Sequence, residues 1–560
     1  MNDLLFYDIE VFKHDAMVVF KDIDKKVKRI FHNNFLGLDE FIEGKTLVGF
    51  NNYHYDDKIL TYMVERKSVY LIKDLNDRII GGENIKFINK RQFRSLDTNQ
   101  QIDVSLPSLK KIEGNMGRMI LESSVPFSID RPLTPEEVDQ VLFYCGYDVD
   151  TTIDIYKLRI ESYFQPKASL IEMMIGKNPD KIQKWNTTTI SANLLLDKPL
   201  PKWASVRIPP DMWLCVPQEV RDIWLDKDSK KSITIEDFDC EIKFAEGGLH
   251  GAHKKIKRAK KVKLLDVKSM YPSIIVLLNV LGHATEKYRQ ILLRRLAVKK
   301  SDPILAEALK LILNSVYGQL NAKFSILNNP MACLSVCIYG QIALYELCKR
   351  IAPFATIVNI NTDGVAFIPH DENDDRMIDA YKTWEMDFSL ELDLKEYDLL
   401  VQKDVNNYIA VSGDKITCKG GDVNRYDDPA YFKNANARIL DIALVEKLVN
   451  NKDVSDTLLD HLDQPHLFQY VLKAGNTYQG TADQDGRLLD TTVNRVFASK
   501  KEGLCLYKKR KLDDGLVRFA DAPLNQYLWN RDTGEIENFE KIIDLNHYYD
   551  IVMKRLERWI

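Results

Sequence analysis

Apolar and polar positions alternate in the first 165 residues in a way that predicts a mixture of strands and helices. The runs LLFYDIE (4–10) and TLVGF (46–50) are short and apolar, as expected of buried strands. A long helix is predicted to begin after Thr134, because Thr134, Pro135 and Glu137 form an N-terminal capping pattern. The N-terminal part therefore reads as α/β.

The rest of the chain repeats the two kinds of pattern over longer distances. Two helices separated at KSDP (300–303) are predicted within 286–318, and a clear amphipathic helix within 437–449. The last 140 residues are otherwise predicted to alternate helix and loop. Strands are predicted at 261–267, 355–360, 365–369 and 408–411. The fold class expected is a multidomain α/β protein.

Composition limits the classes of protein. The residues are 45% hydrophobic and 29% charged, which indicates a globular chain. A length of 560 residues is enough for roughly three to five domains. The net charge is −4. A uniformly basic protein is excluded, but a basic groove is not. Basic residues cluster at 254–263 and 500–511, and each run is either a path for a phosphate backbone or a solvated face.

Cysteine usage and apolar runs indicate the compartment. The eight cysteines include no Cys-x-x-Cys pair, so a zinc ribbon is not expected, and free thiols in a reducing compartment are the simplest interpretation. The first residues lack a signal-peptide pattern, and no membrane span is expected. These features predict a cytoplasmic protein.

A first set of chemically active side chains lies in the N-terminal part. Asp8 and Glu10 are two apart on a strand, so both point to one side and repel each other unless a cation lies between them. Tyr144 and Asp148 lie one helical turn apart. With Asp56, these residues could hold two metal ions for attack on a phosphodiester. The alternative is a set of capping acids and a core tyrosine.

Their order and spacing resemble the 3′–5′ proofreading exonuclease of DNA polymerases, which has an RNase H-like fold. The resemblance implies that the metal ligands are Asp8, Glu10, Asp56 and Asp148, and that Tyr144 orients the attacking water. It also implies that the single-stranded 3′ end is bound by Asn52, Tyr55, Ser108 and Leu109.

A second set occupies three segments in the second half. Residues 266–273 (DVKSMYPS) follow a predicted strand, Lys310-x-x-x-Asn314-Ser315-Val316-Tyr317-Gly318 lies on a predicted helix, and Thr362-Asp363 lies in IVNINTDGVAF (357–367). An isolated Asp-Gly is usually a hairpin turn. In this order, however, the segments resemble motifs A, B and C of family B DNA polymerases, of the phage type.

The resemblance implies a two-metal site. Phosphoryl transfer to a 3′-hydroxyl depends on charge neutralisation and alignment. Asp266 and Asp363 would hold two Mg²⁺ ions, with the Val267 carbonyl as a neutral ligand, and Mn²⁺ can substitute. Each of the two active sites would take two ions.

The helices around motif B would bind the nucleotide. Lys310, Asn314 and Tyr317 share one helix face, and Arg295 and Lys299 share a face of the preceding helix. The three basic residues would face the triphosphate, although a solvated face is the usual role of such side chains.

Aromatic residues of motifs A and B would complete the pocket. The resemblance places Tyr271 under the sugar, where it selects dNTP over NTP, and Tyr317 against the nascent base pair. Gly318 would let the template base approach. Both tyrosines could instead be ordinary core aromatics.

The chain departs from the family pattern at three positions. Ala245 replaces the tyrosine of Tyr-x-Gly-Gly, so DNA binding there would rest on Gly247 and Gly248, with a ring supplied by Phe244 or His250. Asn406 replaces the lysine of Lys-x-Tyr, which leaves Tyr408 for DNA binding and Lys403 or Lys419 to replace the charge. Asn361 replaces the first acid of Asp-Thr-Asp, which predicts a higher Mg²⁺ requirement.

Spacing between the motifs limits the priming mechanism. Asp266 and Lys310 are 44 positions apart, and Gly318 and Asn361 are 43 apart. The large insertions of protein-primed family members do not fit there. A nucleic-acid-primed, monomeric enzyme with weak unaided strand displacement is expected, for which a helicase or single-strand-binding protein is a candidate partner.

The resemblance implies a right-hand architecture and a role in replicating phage or mobile-element DNA, in the host cytoplasm if phage-encoded. Alternatives are an exonuclease with an inactive polymerase half, a DNA-binding replication or packaging factor, and an RNA-templated polymerase. The implied domains are exonuclease (1–165), connector (166–235), palm with an antiparallel sheet (236–283 and 326–420), helical fingers (284–325) and helical thumb (421–560).

Overall fold

The chain forms two structural units, each assembled from segments that are far apart in the sequence. The structure is a computed structural model that describes residues 4–85, 93–225, 232–371, 374–433 and 437–560. Unit 1 comprises Met1–Asn186, Ala430–Ile439 and Leu459–Tyr548. Unit 2 comprises Thr187–Pro429, Leu440–Leu458 and Tyr549–Ile560.

The strands of the described residues, in chain order, are β1 Leu4–Val11, β2 Ala16–Lys21, β3 Val27–His32, β4 Thr46–Gly49, β5 Arg94–Asp97, β6 Ser232–Asp237, β7 Cys240–Ala245, β8 Gly248–His253, β9 Arg258–Val267, β10 Ala355–Asn361, β11 Gly364–Pro369, β12 Leu392–Asp404, β13 Asn407–Ser412, β14 Lys415–Lys419, β15 Tyr470–Lys473, β16 Tyr478–Ala482, β17 Val493–Ala498, β18 Tyr507–Arg510, β19 Leu516–Arg518 and β20 Gln526–Leu528.

The α-helices of the same residues are α1 Leu38–Ile42, α2 Asp56–Val64, α3 Val69–Ile80, α4 Leu109–Asn115, α5 Pro135–Arg159, α6 Gln165–Glu172, α7 Pro179–Ile182, α8 Thr187–Leu195, α9 Gln218–Leu225, α10 Met270–Leu277, α11 Thr285–Val298, α12 Pro303–Asn321, α13 Pro330–Ile351, α14 Asp375–Phe388, α15 Ile439–Asn450, α16 Val454–Asp460, α17 Phe539–Ile542 and α18 Leu545–Leu556. A π-helix, Ile160–Phe164, continues α5.

Unit 1 contains a five-stranded sheet in the order β3-β2-β1-β4-β5, in which β4 is parallel to both β1 and β5. Side chains of β1 alternate between two cores. Phe6 packs with Cys145 and Val149 of α5, whereas Tyr7 packs on the opposite side with Ile59 of α2. Because alternate residues share a face, Asp8 and Glu10 point toward α5, as Phe6 does.

Helix α5 begins where its sequence predicts. The Thr134 side chain accepts from the Glu137 amide at 3.2 Å, and the Glu137 carboxylate accepts from the Thr134 amide at 2.8 Å. Both orphan amides at the helix start are thereby satisfied. The predicted capping box is confirmed, and it fixes the position at which the helix enters the unit.

Unit 2 is built on a nine-stranded sheet in the order β14-β13-β12-β9-β11-β10-β8-β7-β6. Every pairing in it is antiparallel, which confirms the antiparallel sheet expected here. Helices α11 and α12 confirm the predicted pair, with the break at residues 299–302. The central strands β9, β10 and β11 carry the residues predicted for motifs A and C.

Helix α13 is an apolar core helix of unit 2. It is long and apolar enough to cross a membrane by length and composition alone, yet 78% of its most apolar window is buried inside the protein. A core helix of a globular protein has these properties.

The last 140 residues differ from the sequence-based expectation of helix and loop. Helix α15 confirms the predicted amphipathic helix, but β15 to β20 lie in the same region. Several of these strands have only three or four residues, too few to show a period of two, and each is defined by its pairing with another strand. The all-helical thumb is therefore wrong. Residues of 421–560 also contribute to both units, and the predicted domain boundaries remain predictions.

Candidate functional site

The four acids predicted in the N-terminal part meet in unit 1. Asp8 and Glu10 of β1 face Asp148 of α5, and Asp56 is the first residue of α2. The residues Glu10, Asp56 and Asp148 are buried, with 8%, 6% and 6% of their surface exposed. The tertiary fold therefore brings four carboxylates together in a site that is largely shielded from solvent.

The pKa values of these acids reflect that crowding. Burial, followed by repulsion from Asp148, raises the pKa of Asp8 to about 8. Burial also raises the pKa values of Glu10 and Asp56, and in each case the next cause is the charge of Asp8. Ionising all four groups is unfavourable without a nearby cation.

A lysine that the sequence did not identify enters this cluster from α4. Lys110 forms an ion pair with Asp148 and lies 3.3 Å from Glu113 Oε1, and its ammonium stands 4.6 Å from the Tyr144 ring centroid. Burial would lower the pKa of Lys110, but the charges of Asp148 and Glu113 outweigh burial and raise it. Lys110 thus remains charged and offsets part of the negative charge.

Glu113 is a fifth carboxylate at the edge of the cluster. It is fully buried, accepts from the Thr151 hydroxyl at 3.0 Å, and has a pKa raised to about 7 by burial. Its three-residue spacing from Lys110 on α4 is visible in the sequence, but so is that of many surface ion pairs. Nothing local distinguishes this pair as buried.

The cluster fits hard divalent cations. Ligand atoms of Asp8, Glu10 and Cys145 lie within 4.8 Å of one another. The Cys145 thiol donates to the Asp8 carbonyl at 3.3 Å, and burial raises its pKa, so it stays protonated. The remaining donors are carboxylate oxygens, which suit Mg²⁺ or Mn²⁺ better than a thiolate-seeking metal.

The residues predicted to hold a 3′ end are placed around this cluster. Asn52 is fully buried and donates to Asp57 Oδ1 at 3.0 Å, while the Tyr55 hydroxyl donates to Asn76 at 2.5 Å. These bonds hold the loop that precedes α2. Ser108 and Leu109 start α4 and immediately precede Lys110. Their role in DNA binding stays a prediction.

Asp266 and Asp363, the acids predicted for motifs A and C, meet in the middle of the unit 2 sheet, where the end of β9 lies beside the start of β11. Asp266 is paired with Gly364 across β9 and β11, and the Val267 amide donates to the Asp363 carbonyl at 2.7 Å. Burial and then the charge of Asp266 raise the pKa of Asp363 to about 6. The tight hairpin therefore presents its carboxylate to the end of β9.

The loop that contains Gly247 and Gly248 packs against the hairpin that carries Thr362 and Asp363. Gly248 has φ = 142°, and a Cβ there would lie 3.3 Å from Thr362. The His250 ring lies 3.1 Å from the Thr362 hydroxyl, whereas Phe244 is fully buried against Tyr345. Of the two rings considered as replacements for the missing tyrosine, Phe244 is excluded by its burial.

The two predicted pocket tyrosines are in contact. The rings of Tyr271 and Tyr317 are stacked with centroids 4.2 Å apart, and the Tyr271 hydroxyl donates to the Gly247 carbonyl at 3.0 Å. The charge of Asp363 also contributes to the raised pKa of Tyr271, after burial and Cys337. The aromatic pair therefore lies beside the motif C acid.

Two of the basic residues predicted for the triphosphate, Arg295 and Lys310, are on the expected helices, and Lys299 directly follows the end of α11. Arg295 donates to the Ser269 hydroxyl of motif A at 3.2 Å, and Lys310 pairs with Glu307 of its own helix at 3.0 Å. Among the residues predicted to contact the nucleotide or the template base, Lys299, Asn314 and Gly318 are exposed. Arg295 is thus joined directly to motif A.

Tyr408 lies on β13, and its pKa is raised by burial, then by Tyr397 and Asp363. Of the two lysines proposed to replace the missing charge, Lys403 pairs with Asp422 at 2.8 Å. Lys419 is exposed and directly opposite Tyr408 in the β13–β14 register. The structure favours Lys419.

Two further charged residues beside Asp266 were missed. Asp393 of β12 is paired with Asp266 across the β9–β12 ladder, and Lys395, two residues on, forms an ion pair with Asp266 Oδ2. Lys395 and Asp266 are 129 positions apart, and only the strand register reveals these neighbours, so no local signal could have found them.

Known proteins resemble the chain weakly. No family model matches the sequence, and no curated protein matches it. Among solved structures, the family B DNA polymerase from the hyperthermophilic archaeon Pyrobaculum calidifontis aligns over 99% of this chain and 77% of its own, with 13% identity and a TM-score of 0.46. At these values the comparison carries no inference about function, which must come from the residues themselves.

Proposed function

We propose that the chain is a phage-type family B DNA polymerase, which extends a nucleic-acid primer on a DNA template and proofreads with a 3′–5′ exonuclease. The observation that carries the proposal is the meeting of Asp266 and Asp363, 97 positions apart in sequence, beside the stacked Tyr271 and Tyr317. The residues implicated by three separate sequence segments thus form one cluster.

For polymerisation, Asp266 and Asp363 would hold Mg²⁺ or Mn²⁺, with the Val267 carbonyl as the proposed neutral ligand. Such ions, when bound, neutralise charge on the attacking and leaving oxygens. Arg295 and Lys310 would bind the triphosphate, and Tyr271 would select the sugar. The anchoring of Tyr271 to the Gly247 carbonyl supports that role, because it fixes the ring.

For proofreading, the unit 1 acids Asp8, Glu10, Asp56 and Asp148 would hold the metal ions. Lys110 pairs with Asp148, where it offsets part of the rise in pKa that burial causes, and it lies beside the Tyr144 ring. Tyr144 would orient the attacking water. The strongly raised carboxyl pKa values support a site that takes cations.

A primer-extension assay tests both activities together. A labelled primer on a DNA template with Mg²⁺ should lengthen when dNTPs are present and shorten from its 3′ end when they are absent. Asp363→Ala should abolish extension and spare shortening, and Asp8→Ala should do the reverse, each by at least about 100-fold. Undiminished dNTP incorporation by Asp363→Ala would exclude the polymerase assignment and leave an exonuclease with a DNA-binding half.

The cellular role follows from the resemblance and is part of the proposal. The chain would replicate phage or mobile-element DNA in the cytoplasm of its host, as a monomer assisted by a helicase or a single-strand-binding protein. Sedimentation of the free chain and of its complex with primer–template DNA would measure the oligomeric state.

A further inference from the structure

We propose that Lys395 is a built-in counter-cation of the polymerase site, which holds Asp266 in the metal-free enzyme and must be displaced before a divalent ion can bind. Lys395 would thereby set the metal concentration that the site requires. The inference rests on the proposed polymerase function and concerns a residue outside motifs A, B and C.

Strand register places Lys395 on the face that carries the acids. Asp393 of β12 is directly opposite Asp266, and Lys395, two positions later on β12, is opposite Leu264, two positions earlier on β9. Positions two apart share a face, and a diagonal neighbour is within reach of a long side chain. The observed ion pair between Lys395 and Asp266 Oδ2 is therefore a consequence of the backbone pairing.

The charges near Asp266 make this lysine effective. The Lys395 ammonium group donates a hydrogen bond to Asp266 Oδ2, so the two opposite charges lie in direct contact. Asn361 adds no negative charge at the hairpin tip, so the lysine offsets a larger share of the charge that would attract a metal.

The ion pair competes with metal coordination for the same oxygen. Asp266 Oδ2 accepts from Lys395, and a metal ion bound to that oxygen would meet the ammonium charge at close range. The lysine side chain is 46% exposed, so it has room to turn toward solvent. Metal binding is accordingly coupled to movement of one side chain.

The test measures metal binding directly, by the electron paramagnetic resonance signal of free Mn²⁺ in titrations of the full chain without DNA or nucleotide. All variants carry Asp8→Ala and Glu10→Ala, so that unit 1 contributes less to the binding. Lys395→Met keeps the length of the side chain and removes its charge, and should tighten Mn²⁺ binding by about 3- to 10-fold. Lys395→Arg keeps the charge and should bind like the parent.

Lys268→Met is the matched control. Lys268 is two residues from Asp266, but its ammonium lies 3.4 Å from Glu391 instead of a motif acid. The variant Lys268→Met also removes one positive charge near Asp266, but it leaves the ion pair between Lys395 and Asp266 intact. It should change the affinity for Mn²⁺ by less than about 2-fold. An equal gain in Lys268→Met and Lys395→Met would reduce the effect to net charge and overturn the inference.

Asp266→Ala separates this inference from the proposed function. If Asp266→Ala leaves the residual Mn²⁺ binding of the parent unchanged, no metal is held by Asp266 and the polymerase proposal fails. If that binding requires Asp266 but Lys395→Met binds with equal or lower affinity, the polymerase proposal stands and the role of Lys395 is wrong. Circular dichroism melting of each variant confirms that a changed affinity comes from a folded protein.

Discussion

Asn361 shows how one residue can serve the fold at a position where the resemblance implies an acid. Its amide nitrogen donates to the Val405 carbonyl at 3.2 Å, and its amide oxygen accepts from the Thr362 hydroxyl at 3.2 Å. A carboxylate could accept from Thr362 but could not donate to Val405. The amide therefore ties the motif C hairpin to the turn between β12 and β13, a role separate from metal binding.

The variant Asn361→Asp should strengthen metal binding but make the folded protein less stable. The added charge should lower the Mg²⁺ concentration needed for half-maximal primer extension. The loss of the donor to Val405 should lower the free energy of unfolding by about 1–3 kcal/mol. A Mg²⁺ titration and a urea titration measure the two effects, and an unchanged Mg²⁺ titration would contradict the charge argument.

Asp8 makes the metal-free protein sensitive to pH. Its pKa is about 8 in the folded chain against an ordinary 3.8, so the folded state binds the proton more tightly. The contribution of Asp8 to the free energy of unfolding therefore falls as pH rises from about 4 to about 8, and is lowest above pH 8. Asp8→Asn removes this titration.

In EDTA, the melting temperature of the wild-type chain should consequently fall relative to that of Asp8→Asn as the pH rises through this range. The comparison cancels titrating groups on which Asp8 has no influence, such as Lys111, which both proteins share. If the melting temperatures of the two proteins change in parallel from pH 4 to pH 8, Asp8 titrates normally in the folded protein.

At the scale of elements, helices with strong end signals were predictable and short strands were not. The capping box at Thr134 and the Asp302-Pro303 start of α12 are local, and both are confirmed. In contrast, β19 and β20 have three residues each and form only because β18 and β17 lie beside them. Local propensity is weak evidence when pairing partners supply the stability.

The cap of α5 offers a test at this scale. Thr134→Ala removes the acceptor for the Glu137 amide and should lower the free energy of unfolding by about 1 kcal/mol, whereas Thr134→Ser should retain most of it. Hydrogen exchange of the first-turn amides of α5 measures the effect of the cap most directly. The same helix carries Tyr144 and Asp148. Equal exchange in Thr134→Ala and Thr134→Ser would show that the cap contributes little.

At the scale of the whole molecule, the intervals between motifs are filled by the elements of the core. The stretch from Asp266 to Lys310 holds α10, α11 and the start of α12, and the stretch from Gly318 to Asn361 holds α13 and β10. No separate subdomain is inserted in these described stretches. This arrangement is consistent with the expectation that the chain lacks the insertions of protein-primed family B DNA polymerases.

Unaided strand displacement should accordingly be weak. On a nicked duplex with Mg²⁺ and dNTPs, the chain should fill a gap and then stop within a short distance of the downstream strand. A primed single-stranded template is the control for activity. Kilobase products from the nicked duplex, without a helicase, would contradict this prediction.

What the sequence alone determined is what short spacings encode. Helix periodicity, the capping box, the strand that carries Asp8 and Glu10, and the hairpin that presents Asp363 depend on residues within a few positions of one another. These signals predicted most of the elements that carry the acids, whereas the expectation that the acids come together in two clusters was implied by the resemblance to family B DNA polymerases.

Tertiary structure alone decided which charges accompany those acids. Lys110 reaches Asp148 because α4 packs near α5, and Lys395 reaches Asp266 because β12 pairs with β9 in one register. Burial then sets the pKa values, since desolvation is the largest cause for Asp8, Glu10 and Asp363 alike. Strand register and burial are properties of distant segments brought together, and no local pattern in the chain encodes them.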